Sequence, residues 1–327
     1  MKKTFKLMAA LVMGAGMMFS CQQAEEPMMD NAQEPVVETR AYGDKTPTVT
    51  IYVETNDVNP LNAGDYKLPN GKPYADIVEF FASNIHKRTV NGVVEPTPNL
   101  LENGGAATYV QGLQAKGIKV VLTVLGDWQG IGVANMNDTQ TTQFAKILAH
   151  AVEKYGLDGI GFDDEYSNYS SSLISGSFGS IITKLRNLMP AGKLITVFQY
   201  GNYGSSQINA TAGAQIDHAY ANFGYYPYIG ISGVTKDRYA PLSINLGSIG
   251  GNVTRYGDYA YELAEAGYGS IMHFNLRTRN DSDPLPLFKA IADGAWGETN
   301  VTCDNGNRPQ DWTFVPSGYE ITMDEVE

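Results

Sequence analysis

Short apolar runs alternate with amphipathic segments over most of the chain, from about residue 46 to residue 296. The apolar runs are six to eight residues long and rich in short hydrophobic side chains, which is typical of strands covered on both faces. They predict eight strands, at residues 49–54, 77–82, 118–125, 159–165, 194–199, 216–222, 242–247 and 269–275. Apolar residues that recur at spacings of three and four predict helices at 106–116, 139–154, 172–187, 255–265 and 284–292.

This alternation of strands and helices predicts an α/β fold built around a parallel sheet. Eight such units over about 250 residues match the number and the length of a (β/α)8 TIM barrel. The helical pattern is weak after the fifth and sixth strands, so we expect some outer helices to be missing. Two long segments with several Asn, Gly and Pro residues, 55–75 and 85–101, follow the first two strands. We expect these segments to form walls of a binding site.

The parts of the chain outside the predicted barrel indicate export and anchoring. Residues 1–20 carry three lysines and then an apolar run, as in a secretory signal peptide. Ser20-Cys21 resembles a bacterial lipobox, which makes Cys21 the expected lipidation site; an ordinary cleaved signal is the alternative. Residues 21–46 are acidic and poor in large apolar side chains, which predicts a flexible tether. The barrel itself is predicted at 47–296, and for the extension at 297–327 a sheet-like cap and a partly ordered tail both remain open.

The charge balance narrows the class of partner. Removal of residues 1–20 takes away three lysines and no acids, which leaves 20 basic and 35 acidic residues and a net charge of −15. Such a surface disfavours nucleic acids and polyanionic glycans and favours a neutral substrate. Cys303 is the only cysteine besides Cys21, so no internal disulfide is expected in a lipidated protein. No later segment has 18 consecutive apolar residues, and we expect membrane contact only through the lipid anchor.

The fourth predicted strand ends in three acidic residues, within the segment YGLDGIGFDDEY at 155–166. Side chains on a strand alternate between its faces, so Asp163 and Glu165 point to one side, together with Gly161, and Asp164 points to the other. Two residues of rise place the Cα atoms of Asp163 and Glu165 roughly 6.6 Å apart, close enough for both carboxylates to contact one sugar ring. The plainer interpretation is a polar strand end that enters a loop.

A metal site is another interpretation of this acidic triplet. Because Asp164 faces away from its neighbours, the three carboxylates cannot chelate an ion as a unit. The four histidines, at 86, 150, 218 and 273, show no metal-ligand spacing. We therefore expect neither a metal nor a cofactor.

Polar and aromatic residues close several other predicted strands. This mixture suits a sugar, whose C–H faces stack on rings while its hydroxyls need hydrogen-bond partners. The candidate substrate contacts are Trp128, Tyr166, Gln199, Tyr220, Asn222, Phe274 and Asn275. For Tyr220 and the amide side chains in this set, a buried structural role is an equal alternative.

The segment Asp158-Gly-Ile-Gly-Phe-Asp-Asp-Glu165 resembles the DGxDxDxE motif of glycoside hydrolase family 18, a family of (β/α)8 barrels. It is most similar to the bacterial endoglycosidase H-like endo-β-N-acetylglucosaminidases, whose motif also reads LDG-hydrophobic-x-FDDEY. Segments 117–126, 129–135, 266–269 and 274–276 support the resemblance, which extends over most of residues 47–296. Gly161 departs from the wider motif, which has an aspartate there.

The resemblance implies hydrolysis of the β-1,4 bond inside the N,N′-diacetylchitobiose core of N-glycans. Glu165 matches the general acid/base and Asp163 the residue that orients the substrate's acetamido group, whose own oxygen attacks C1 and forms an oxazolinium intermediate. Tyr220 and Asn222 are candidates for a hydrogen bond to the acetamido carbonyl. An aspartate at position 161 would share the proton of Asp163, so the glycine is expected to change the pH profile and to leave the acid/base in place.

Two close carboxylates cannot both ionise cheaply, so one pKa is expected to rise, which would keep Glu165 protonated while Asp163 stays charged. The expected partner is an N-glycan or glycoprotein. Similarity to Bacteroidetes-type lipoproteins implies a lipid-anchored, surface-exposed position at the outer membrane, with other glycan-uptake lipoproteins as further partners. Two alternatives stay open: a non-catalytic N-glycan-binding lipoprotein on the same barrel, and a chitinase, which would need a long aromatic cleft.

Overall fold

The structure, a computed structural model, describes residues 45–87, 94–95, 99–169, 173–200, 204–312 and 319–326. The predicted signal peptide with its lipobox, and nearly all of the predicted tether, lie outside these residues. In the part of the chain that is described, no helix has the length and apolar character needed to cross a membrane.

Eight parallel strands form a closed barrel, as predicted. In chain order, strands 1 to 8 are Thr48–Glu54, Ile77–Lys87, Lys119–Gly126, Gly159–Asp163, Leu194–Phe198, His218–Tyr220, the pair of segments Tyr239–Ala240 and Leu242–Asn245, and Ser270–Phe274. Each strand pairs in parallel with the next one along the chain, and strand 1 also pairs with strand 8. The seventh strand closes the ring, because its first segment pairs with strand 6 and its second with strand 8. Pro241 separates the two segments, since proline has no N–H to donate to the ladder.

Two strand boundaries differ from the predicted ones in a way that affects the site. Strand 4 ends at Asp163 and not at Glu165, because the Asp163 side chain accepts a hydrogen bond from the backbone N–H of Glu165 (3.1 Å) and the chain leaves the sheet there. Strand 2 continues to Lys87, and its far end pairs antiparallel with a two-residue strand, Val94–Glu95. Residues 86–87 and 94–95 of the predicted loop at 85–101 therefore form an antiparallel pair of strand segments.

The outer layer has helices at Asp138–Tyr155, Ser177–Leu188, Val253–Glu265 and Leu285–Trp296, and short turns elsewhere. The segment predicted as a helix at 106–116 is a π-helical turn, Ala106–Val110, followed by Gln111–Gln114. Strand 5 is followed by the single turn Ala210–Gly213, and strand 6 by the 3-10 turn Lys236–Arg238. The predicted loss of outer helices after these two strands is confirmed.

Sequence signals explain where the longest helix begins and ends. Asn137 and Gln140 form a capping box at the start of Asp138–Tyr155, and Gly156 ends it with a left-handed φ of 65° that an L side chain rarely adopts. The helix buries Phe144, Leu148, Val152 and their apolar neighbours against the barrel. These signals position strand 4, which begins only a few residues later.

The extension that follows Trp296 packs against the barrel in the ranges 297–312 and 319–326. Its strand Thr302–Cys303 pairs antiparallel with Tyr66–Lys67 in the connection after strand 1. The buried carboxylate of Asp65 accepts hydrogen bonds from Arg308 and from the backbone N–H of Gly306. Further short elements are the 3-10 turns Pro60–Asp65, Asn99–Leu101, Ser205–Gln207 and Leu246–Ser248, the strand Gly224–Tyr225 and the helix Met323–Val326.

Candidate active site

A cavity of about 270 Å³ opens at the carboxyl ends of the barrel strands. Its walls combine carboxylates with aromatic rings, which is the combination expected of a sugar site. The lining residues are Tyr52, Glu54, Phe81, Asp163, Glu165, Tyr166, Phe198, Phe223, Met272, Phe274, Asn275 and Arg277. The rings of Phe223 and Phe274 lie 4.7 Å apart between centroids and form one apolar wall.

The structure brings the carboxyl groups of Asp163 and Glu165 to the same cavity, although only Asp163 lies on the strand. Asp163 is 3% exposed and sits deeper than Glu165, which is half-buried at the start of the following loop. Asp163 Oδ1 accepts the hydrogen bond from the Glu165 backbone N–H, so the orientation of the first acid and the position of the second are linked. Both side chains can therefore contact one molecule bound in the cavity, Asp163 from its deeper part and Glu165 from nearer its opening.

Burial raises the pKa of both acids. For Asp163, burial is the main cause and the negative charge of Glu165 adds to it, so this pKa lies well above its ordinary value. The pKa of Glu165 is also raised by burial, and a hydrogen bond with Tyr166 opposes the shift. The expectation that Glu165 has a raised pKa is in line with this direction. Burial and the charge of Glu165 both favour the protonated form of Asp163 in the free site, and the expectation that Asp163 stays charged remains a prediction.

Asp164 points out of the cavity and holds the loop that carries Glu165. Its carboxylate accepts hydrogen bonds from the hydroxyls of Tyr169 and Ser167. Burial raises the pKa of Asp164 to about 6, and these hydrogen bonds oppose the shift. The third acid of the triplet is thus used to fix the loop after strand 4.

The loops after strands 3 and 4 pair with each other and place two aromatic rings at the rim. Backbone hydrogen bonds join Gly126 N–H to Glu165 O (3.0 Å) and Trp128 N–H to Tyr166 O (2.7 Å). Trp128 and Tyr166 both have left-handed φ angles, 57° and 56°, which are uncommon for large side chains. Their ring centroids lie 5.2 Å apart, and Trp128 is 64% exposed. The exposed indole is available to stack on a sugar beside the cavity.

Of the remaining predicted substrate contacts, two line the cavity, two line a groove beside it, and Tyr220 reaches neither space. Phe274 and Asn275 line the cavity, and Asn275 Oδ1 is buried without a hydrogen bond from any described residue. Gln199 and Asn222 line a neighbouring groove of about 480 Å³, together with exposed tyrosines 226 and 228. Phe223 lines both spaces, so the groove continues the cavity.

Tyr220 does not reach the cavity, and the predicted contact of its hydroxyl with an acetamido carbonyl is corrected. The side chain is fully buried, and its hydroxyl lies 3.1 Å from Thr50 Oγ1 and donates to Glu79 Oε1 at 3.4 Å. Its ring packs edge-on against Tyr52, which is the residue that lines the cavity above it. Although strand 6 ends at Tyr220, the side chain points into the barrel towards Thr50 and Glu79 and lies below the cavity floor.

Sequence reasoning missed Tyr52, Glu79 and Arg277. Glu79 carried a signal, because a charged residue in the middle of the apolar run at 77–82 must be buried with polar partners. Arg277 follows strand 8, donates to Asp57 at 2.6 Å, and lowers the pKa of Glu54, which burial raises. Among the described residues that line the cavity, the guanidinium group of Arg277 therefore stands beside the carboxyl groups.

Metal-ligating groups are not gathered anywhere in the described part of the chain: no set of three or more His, Cys, Asp or Glu side chains is arranged to hold an ion. His273 faces away from the cavity, 3.0 Å from the Tyr74 hydroxyl, and burial lowers its pKa to about 3. His86 lies between Asp127 and Glu320, and His218 contacts Ser270.

The fold and the site together define a class of protein. A cavity at the strand ends of a closed (β/α)8 barrel, with its acid pair at the end of strand 4, has the arrangement of a glycoside hydrolase of family 18. A family 18 chitinase from Pseudoalteromonas aurantia shares the fold, with a TM-score of 0.54 at 18% identity over 76% of this chain and 99% of that one. No family model matches the chain.

Two curated relatives give the family. The chain is 33% identical over 261 residues to an endo-β-N-acetylglucosaminidase from Flavobacterium sp. (strain SK1022). The aligned region covers 77% of this chain and 81% of the relative. The chain is 32% identical over 289 residues to endo-β-N-acetylglucosaminidase F1 of Elizabethkingia meningoseptica, covering 80% and 81%. EndoBT-3987 of Bacteroides thetaiotaomicron, crystallised with a Man5GlcNAc product, has a TM-score of 0.69 at 27% identity over 84% of this chain and 67% of that one. The chain belongs to the endo-β-N-acetylglucosaminidases of glycoside hydrolase family 18.

Proposed function

We propose that this protein hydrolyses the β-1,4 bond between the two GlcNAc residues at the core of N-glycans. Glu165 protonates the leaving oxygen, and the substrate's own 2-acetamido oxygen attacks C1 to form an oxazolinium ion. Asp163 accepts the acetamido N–H and stabilises the positive charge that develops. Glu165 then takes a proton from the water that opens the ring, so the sugar keeps its configuration.

The observation that carries this proposal is the convergence of Asp163 and Glu165 on one cavity. The raised pKa of Glu165 lets it hold the proton that a general acid must deliver. No protein nucleophile is needed, because the substrate's acetamido group supplies the attacking oxygen. The aromatic wall at Phe223 and Phe274 offers a surface for the C–H face of the GlcNAc ring.

The groove beside the cavity supports an oligosaccharide and not a single sugar as the substrate. Its lining combines the amide side chains of Gln199 and Asn222 with exposed tyrosine rings. EndoBT-3987 was crystallised with a Man9GlcNAc2Asn substrate, which makes a high-mannose N-glycan the first candidate to test here.

The experiment is incubation of the protein with one high-mannose and one complex-type glycoprotein, followed by mass spectrometry of the glycosylated peptides. We expect a single HexNAc to remain on asparagine in at least one of the two. Intact glycans on both, with measurable glycan binding, would support the non-catalytic alternative. Release of soluble products from chitin, with both glycoproteins intact, would support a chitinase.

We also propose that the protein is anchored in the outer membrane, on the cell surface, through a lipid on Cys21. The lysine-rich start, the apolar run and Ser20-Cys21 support this proposal, and the acidic segment 21–46 would hold the barrel away from the lipid. Growth of expressing cells with a labelled fatty acid should label the wild-type protein, while Cys21→Ser should remain unlabelled. Protease added to intact cells should degrade the anchored barrel; protection from the protease would place it on the inner side of the membrane.

A further inference from the structure

The carboxyl group of Glu79 occupies the place that a side chain at position 161 would take. Gly161 lies on strand 4, two residues before Asp163, and Glu79 lies on strand 2. A Cβ atom on Gly161 would overlap Glu79 Oε2 and would approach Thr196 Oγ1 to 2.7 Å and Thr123 Oγ1 to 3.0 Å. The absence of a side chain at 161 therefore leaves room for an acid that comes from a different strand.

Glu79 is held in this place by hydroxyl groups from three other strands. The hydroxyls of Thr123 and Thr196 each donate to its carboxylate at 2.6 Å, one to each oxygen, and the hydroxyl of Tyr220 donates at 3.4 Å. The side chain has no exposed surface. A buried carboxyl group with this many donors has a single fixed orientation, directly below the acid pair of the cavity.

The environment of Glu79 contains other acidic groups and no cation among the described residues that interact with it. Tyr52 faces it from strand 1, Asp163 from strand 4 and Tyr220 from strand 6. Burial raises the pKa of Glu79 to about 7, and the three hydroxyl donors oppose that shift. The charge of Glu79 in turn contributes to the raised pKa of Asp163. Two buried carboxyl groups that interact in this way titrate as a pair.

We propose that Glu79 is a positioning residue that shares one proton with Asp163, in place of an acid at position 161. This inference rests on the proposed function. The two carboxyl groups hold one proton between them. When Asp163 is charged and accepts the acetamido N–H of a substrate, Glu79 is the group of the pair that is protonated. The total charge of the pair is one negative charge.

The direct test is a pH titration of the Asp163 carboxyl carbon by NMR, in the wild type and in Glu79→Gln. The amide keeps the size of the side chain but removes the second ionisable group. We expect the titration midpoint of Asp163 to fall by about one pH unit or more. Glu153→Gln, an exposed acid on helix Asp138–Tyr155, is the matched control and should leave the midpoint unchanged. An unchanged midpoint in Glu79→Gln would overturn the proposal.

A relocation of the acid separates proton sharing from a merely structural role. Glu79→Ala should lower the Asp163 midpoint as Glu79→Gln does, and the double variant Glu79→Ala with Gly161→Asp should restore it, because the new carboxyl then occupies the vacated space. Gly161→Asp alone should unfold at a lower temperature, since both acids cannot fit. If the double variant folds and the titration midpoint of Asp163 stays low, a carboxyl group introduced at position 161 does not replace that of Glu79, and the proposal is wrong.

The pH profile of kcat/KM adds a functional readout. The wild type should show an ionisation near neutral pH that belongs to the Glu79 and Asp163 pair, and Glu79→Gln should lack it. A role in packing alone would change the thermal stability and leave the set of ionisations as it is. The NMR titration does not require turnover. If the wild type cleaved no glycan, the proposed function would be overturned, but the titration would still test whether Glu79 and Asp163 share a proton.

Discussion

Glu165→Gln is expected to reduce the cleavage of a glycoprotein by about 10²- to 10⁴-fold while glycan binding is retained. The amide keeps the shape of the side chain at the cavity wall but has no proton to give to the leaving oxygen. The loss should fall on kcat, because the proton is delivered only in the transition state, while Phe223 and Phe274, which form the aromatic wall of the cavity, are unchanged. Single-turnover release of the glycan and direct binding measurements would separate the two effects.

The choice of leaving group tests the acid role of Glu165 specifically. A GlcNAc-terminated aryl glycoside with an acidic phenol needs little protonation, so Glu165→Gln should lose much less activity on this substrate than on a glycoprotein. Glu153→Gln is again the control, because that acid lies exposed on helix Asp138–Tyr155, and both substrates should be cleaved at the wild-type rate. Equal losses on the two substrates would assign Glu165 a different role.

Asp163→Asn is expected to lower kcat by about 10²-fold or more on both kinds of substrate. The asparagine cannot become negatively charged, so it cannot stabilise the positive charge of the oxazolinium ion, whichever leaving group departs. The crossed pattern of the two variants is the decisive result: rescue by the acidic phenol in Glu165→Gln, and no rescue in Asp163→Asn.

A second consequence of Asp163→Asn concerns the position of Glu165. Asp163 Oδ1 accepts the Glu165 backbone N–H, and an asparagine oxygen can accept the same bond. The loop after strand 4 should therefore keep its place in Asp163→Asn, with a thermal unfolding temperature close to that of the wild type. Asp163→Ala removes the acceptor and should lower both kcat and the unfolding temperature. If the asparagine variant were destabilised as much as the alanine variant, its loss of activity would not report on charge.

Much of the barrel could be predicted because its signals are local. Each strand is a short apolar run, and the helix at Asp138–Tyr155 is marked by a capping box and a glycine at its end. The least accurate predictions concern strand ends, where a tertiary contact competes with local preference. Strand 4 stops at Asp163 because its side chain accepts a hydrogen bond from the backbone N–H of Glu165. Strand 2 continues to Lys87 because Val94–Glu95 pairs with its end.

The acid pair could be predicted because its two members are neighbours in the chain. Alternation along a strand placed Asp163 and Glu165 on one side and Asp164 on the other, and the structure has Asp164 bonded to Tyr169 outside the cavity. How deeply each side chain lies below the cavity could not be predicted in this way. Tyr220 and Phe274 both stand at strand ends, yet one lies below the cavity floor and the other on its wall.

The amino-acid sequence by itself determined the barrel and the strand that ends at Asp163, since both follow from the periodicity of neighbouring residues. The position of Glu165 was decided by the structure, because Glu165 lies in the loop after that strand and its backbone N–H is held by Asp163. Only the closed barrel decided that Glu79 lies over Gly161. These residues are 82 positions apart in the chain. Strand 3 stands between their two strands, so their side chains meet only in the interior that the closed ring creates.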